Sequence, residues 1–92
     1  MQAVVLPGAV AEAEVASRAA HVQLEDELRR EGSKYGALAA VEVPAGSQDG
    51  APWTGDVRLV FCSDVGARRA LEALTGRQFG TVVLQPVLEK SG

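Results

Sequence analysis

Residues 3 to 6, Ala-Val-Val-Leu, form an unbroken apolar run that ends at Pro7-Gly8. A run this short, closed by a turn signal, predicts a buried strand. Ala9 to Glu31 contains neither glycine nor proline and is rich in Ala, Glu, Leu and Arg, the composition of a helix. Periodicity is weak as far as about Ser17, which leaves room for a loop there. Beyond it, Leu24 and Leu28 share a face with His21, while Glu25, Asp26, Arg29 and Arg30 point elsewhere. Gly32 and Gly36 bracket the helix end, with Lys34 placed to suit its carboxyl-terminal dipole. Ala37 to Val43 alternates loosely and stops at Pro44, predicting a second strand. Pro44, Gly46, Gly50 and Pro52 then mark a loop that carries Trp53, expected to cover a sheet edge.

Asp56 to Phe61 alternates strictly: Val57, Leu59 and Phe61 face one way, Asp56, Arg58 and Val60 the other. That is a half-buried strand. Ser63 is an N-cap residue with Asp64 in the first turn behind it, and Ala67, Ala70, Leu71 and Leu74 stripe one face of a second helix. Thr75-Gly76 ends it. Val82 to Leu84, extending toward Val87, is the expected last strand. The order β-α-β-β-α-β predicts an α+β, ferredoxin-like (RRM-like) fold: a four-stranded antiparallel sheet with two helices on one face and the other face open. Residues 1–92 make one domain with its core in about 3–87, expected to be a piece of a longer protein.

Composition narrows the chemistry. The 92 residues are 47% hydrophobic and 23% charged, with one cysteine, one histidine and a formal net charge of -3. A single Cys62 excludes a disulfide scaffold and a cysteine zinc site, and it is expected to act as a small hydrophobic filler. His21 lies on the helix stripe, which favours a packed or half-exposed structural role over that of a general base. No glycine-rich phosphate loop precedes a helix, since Gly46, Gly50 and Gly55 lie before a strand. No acid, base and nucleophile set assembles, so no enzymatic activity, cofactor or metal is expected. No apolar run approaches the roughly 18 residues that span a membrane. Aromatic residues are only 4%, namely Tyr35, Trp53, Phe61 and Phe79, which argues against a basic, ring-lined nucleic-acid surface.

The fold order is that of the RNA-recognition motif, whose strands carry stacking rings. Placed on that pattern, the stacking positions hold Val5, Asp56 and Arg58. An acid there repels phosphate and offers no π-face, and no aromatic ring stands at any of the three. Other segments resemble the U2 auxiliary factor homology motif (UHM), a protein-binding variant of this fold. Gly76-Arg77-Gln78-Phe79 looks like its Arg-X-Phe motif, preceded by Ala73-Leu74-Thr75. Glu31-Gly32-Ser33-Lys34-Tyr35-Gly36 is close to its Glu-Cys-Ser-Lys-Tyr-Gly, and Val41-Glu42-Val43-Pro44 is similar to its second strand. Glu27 and Glu31 fall where the family carries acids. The segment Gly80-Thr81 is about one residue shorter than the family's, and Arg29 and Arg30 interrupt the acidic helix.

The resemblance implies a module of a pre-mRNA splicing factor, nuclear and monomeric, that binds short basic Trp-containing peptides of other splicing factors. These are of the kind found in branchpoint-binding protein and in the large subunit of splicing factor 3b. RNA binding would be weak or absent. The ligand tryptophan would enter between the first helix and the Arg-X-Phe loop. Leu24 and Leu28 would floor the pocket, and Phe79 would meet the indole, with Gln78 next to it in the peptide-binding loop. Arg77 would pair with Glu31 or stack on the ring. Asp26 and Glu27, with Glu25 beside them, would draw in the ligand's Arg and Lys. Two other readings of the residues stand beside this one: an RNA-recognition motif that retains RNA binding through Arg58 and its loops, and a ferredoxin-like dimerisation domain.

Overall fold

A computed structural model of the chain describes residues 2–11, 17–44, 55–79 and 82–90. The elements run β1 (Gln2–Leu6), α1 (Arg18–Gly32), β2 (Leu38–Glu42), β3 (Val57–Phe61), α2 (Asp64–Leu74), β4 (Gln78–Phe79), β5 (Val82–Val83) and β6 (Val87–Lys90). Four strands form one sheet in the order β2-β3-β1-β6, antiparallel throughout. This is the expected ferredoxin-like arrangement. Trp53 and the rest of its loop, 45–54, lie outside the described residues.

Strand alternation decides which side is buried. Val4 and Leu6 of β1 and Val57, Leu59 and Phe61 of β3 join Leu24 and Leu28 of α1 and Ala67, Ala70 and Leu74 of α2 in the core. Both helices begin on serine caps. The Ser17 Oγ accepts from the Ala20 N–H at 3.1 Å, and the Ser63 Oγ accepts from the Gly66 N–H at 3.3 Å. The first cap explains why the helix begins at Arg18 rather than near Ala9. Ala9 and Val10 are instead buried, and the Val10 N–H donates to Gly55 O at 3.2 Å, tying this segment to the residues before β3.

The two layers meet through glycine. A Cβ on Gly36 would stand 2.8 Å from the Gly66 Cα, so the turn before β2 crosses the first turn of α2 with nothing between them. Glycine at 36 thus serves close approach, beyond marking a helix end. His21 ties α1 to the exit of β2, its Nε2 lying 3.0 Å from Val43 O.

Two expectations need correction. The fourth strand of the main sheet is Val87–Lys90, not Val82 to Leu84. The valines at 82 and 83 pair with Phe79 and Gln78 in a separate two-stranded hairpin, and Leu84 turns into the core. Pro86 has no N–H to give to a ladder, so regular pairing resumes only at Val87, with Val4 opposite Leu88 and Val5 opposite Val87. Cys62 is exposed rather than a core filler, because β3 ends at Phe61 and the chain turns outward toward its Ser63 cap.

Candidate functional site

Two surfaces compete for attention. The first is the sheet face opposite the helices. Its central cross-strand row runs Glu42, Arg58, Val5, Val87 from β2 to β6. The Arg58 Nη1 donates to Glu42 at 3.1 Å, and its Nη2 reaches across β1 to Glu89. The guanidinium therefore spans the centre of the sheet, held at both ends by carboxylates. Asp56, the third stacking position, accepts from the Gly8 N–H through Oδ1 at 2.9 Å. That bond closes the turn after β1, where Gly8 has φ +62°. The ring positions of an RNA-binding sheet are thus occupied by an ion-pair bridge and a turn cap.

The second surface is a groove of about 250 Å³ between the carboxyl-terminal half of α1 and the segment that follows α2. Its floor is apolar: Leu28 of α1, Leu6 and Leu59 of the sheet, Leu74 of α2 and Leu84. One rim carries Glu27 and Glu31, and the other carries Arg77, Gln78 and Phe79. The local sequence explains the second rim. Gly76, at φ +79°, turns the chain sharply after the α2 cap, and backbone bonds from Gly76 N to Leu84 O (2.9 Å) and from Leu84 N to Arg77 O (2.8 Å) close the loop. The β4–β5 hairpin then holds Phe79 half-buried, packed on the core while facing the groove. The volume is below the range of roughly 300–1,000 Å³ typical for drug-sized ligands. It suits one large side chain.

The rims are linked. The Arg77 Nη1 donates to Glu31 Oε1 at 3.2 Å and to the Tyr35 hydroxyl at 3.2 Å, while the Lys34 Nζ takes the other Glu31 oxygen at 3.0 Å. These contacts hold the Glu31 carboxyl below the ordinary glutamate range. The Lys34 hydrogen bond is the main cause, opposed by slight desolvation and supported by Arg77. Glu27, one turn earlier on the same face, is exposed and has no ion-pair partner among the described residues.

Of the residues singled out in the sequence, Glu27, Leu28, Glu31, Arg77, Gln78 and Phe79 come together in the groove. Leu24 does not line it; that side chain is 8% exposed and belongs to the core one turn away. Asp26 is exposed and also lies outside the lining, and Glu25 is engaged by Arg29 at 3.2 Å. Leu6, Leu59, Leu74 and Leu84 line the floor without having been anticipated there, nor was the Tyr35 contact. The floor leucines were visible in the sequence only as core positions, since three separate elements and the segment after β5 supply them. No cluster of three or more His, Cys, Asp or Glu that could hold a metal occurs among the described residues. Nor is any helix among them long and apolar enough to cross a membrane.

No family model matches the chain. Over 79 residues, 84% of its length, the chain is 34% identical to a splicing factor from Arabidopsis thaliana, a U2af large subunit. It spans 14% of that protein's length. The similarity supports a relationship to an RRM-like domain of a splicing factor.

Proposed function

We propose that this domain is a protein-interaction module of a pre-mRNA splicing factor, of the U2 auxiliary factor homology motif type. It docks a short basic peptide of another splicing factor by taking the peptide's tryptophan into the groove. It works in the nucleus as a monomer and without catalysis. The observation that carries this reading is the groove itself, an apolar floor sized for one large side chain between the exposed Glu27 carboxylate and an Arg-X-Phe rim. The relationship to a splicing factor is consistent with it.

The parts divide the work by physical type. Burying an indole removes about 150–250 Å², which at about 25 cal/mol per Å² is at most about 4–6 kcal/mol. Phe79 meets the indole with its ring, and Arg77 lies beside it as a cation–π partner. Glu27 attracts the peptide's Arg or Lys through a screened contact worth about 0–1 kcal/mol. Ordering the peptide subtracts several kcal/mol. The result is weak to moderate binding that depends chiefly on the tryptophan. RNA is the lesser reading, because Arg58 is already neutralised by Glu42 and Glu89 and no ring occupies the stacking positions of the sheet face.

Amide shift mapping tests the reading. A short peptide with one Trp preceded by Arg and Lys should perturb residues 27–32 and 77–79. The same peptide with Trp replaced by Ala should not. Shifts confined to β1 and β3, seen with a single-stranded RNA oligomer and not with the peptide, would sink it.

A further inference from the structure

We propose that Tyr35, which does not line the groove, is a positioning residue that fixes Arg77 in the groove wall. The inference rests on the peptide-docking reading above and concerns how the same site is organised before a ligand arrives.

Arg77 is a long side chain on a loop, and that side chain is 55% exposed. Unrestrained, it would sample many rotamers and lose that freedom when a ligand docked. Two acceptors meet its Nη1 instead, Glu31 Oε1 and the Tyr35 hydroxyl, each at 3.2 Å. Both come from one short stretch at the end of α1. Its backbone is fixed by the Ser33 cap, which donates to Arg29 O at 3.0 Å, and by the Tyr35 N–H, which donates to Gly32 O at 3.0 Å. The Tyr35 ring packs against the core, so its hydroxyl stands on an anchored base rather than a mobile one. Glu31 is in turn held at its second oxygen by Lys34. Because one nitrogen makes both contacts, the remaining guanidinium nitrogens have no partner among the described residues. They and the guanidinium face are left for the ligand. Glu31 alone is a weak constraint, since exposed ion pairs tolerate several geometries. The phenol adds a second direction, and two directions set an orientation.

Tyr35→Phe separates this role from packing, because it keeps the ring and removes only the hydroxyl. The 92-residue chain is compared with Tyr35→Phe, Arg77→Met and the double variant. The measurements are affinity for a peptide carrying one Trp after Arg and Lys, and the Arg77 side-chain Nε–H resonance. Tyr35→Phe should bind about three- to tenfold more weakly, the range for loss of one hydrogen bond. Its Arg77 resonance should move toward the position of a free arginine. In the Arg77→Met background the same change should cost nothing more. An equal loss in both backgrounds, or an unmoved Arg77 resonance, overturns the positioning role. If the parent chain binds no such peptide, the docking reading falls, and the Arg77 resonance still decides the role of Tyr35 on its own.

Discussion

Arg58 and Arg77 are chemically alike and similarly equipped, yet they make opposite surfaces. Each guanidinium meets two acceptors drawn from other elements. Arg58 lies flat across the sheet, with Val5 as its cross-strand neighbour and carboxylates at both ends, and it fills the surface it occupies. Arg77 stands at the edge of a concave space whose floor is leucine, and it leaves that space empty. Charge pairing alone therefore does not mark a site. Concavity over apolar atoms does, because only there does a ligand remove substantial nonpolar area from water.

Substitutions can break this contrast at several strengths. The largest effect should come from Leu59→Ala, which removes a side chain serving both the core and the groove floor. It should cost about 2–5 kcal/mol in urea unfolding, as for other core leucines. Next, Phe79→Ala should weaken Trp-peptide binding by more than about tenfold in calorimetric titration while the fold survives, the behaviour of a hot spot. Unchanged affinity would move the ligand elsewhere. Arg58→Met should leave peptide affinity unchanged and alter stability by less than about 1 kcal/mol. Its Nε is buried without a hydrogen-bond partner among the described residues, so some of what the bridge contributes is already offset. A large loss of peptide binding there would show that the two surfaces are coupled.

The smallest effect concerns pH. The Glu31 carboxyl is held below its ordinary value, so the folded state favours its ionised form. Its contribution is fully present above the ordinary glutamate value of 4.5, where an unfolded glutamate is mostly ionised. It is lost as the pH falls through the lowered folded value. Carboxyl NMR titration should find Glu31 below the ordinary glutamate value, and Lys34→Met should raise it toward that value. Arg58→Met should leave the Glu31 titration where it was.

Much of this molecule was legible from spacing alone. The strict alternation of Val57, Leu59 and Phe61 predicted a strand and the side that joins the core, although Val60 on the other side is buried too, opposite Ala3, and Ser63 with Asp64 predicted where α2 begins. These are local signals, written within a few residues of one another. The three positions that lack stacking rings were equally plain, because side-chain identity at a known register needs no coordinates. The last strand was misplaced since Val82-Val83-Leu84 has strong strand character. Whether such a run joins the sheet or pairs with its own neighbour depends on where Gln78-Phe79 lies in space.

The residue types of the candidate site and the fold that carries it were thus determined by the sequence. Tertiary structure decided which of those residues meet. It moved Leu24 into the core and left Asp26 on the outer surface. It brought Leu6, Leu59, Leu74 and Leu84 under one groove, and it set the Tyr35 hydroxyl against Arg77, which is 42 residues away in the chain. Periodicity reports which face of an element is apolar. What that face packs against, and whether packing leaves a space, is a property of several elements at once.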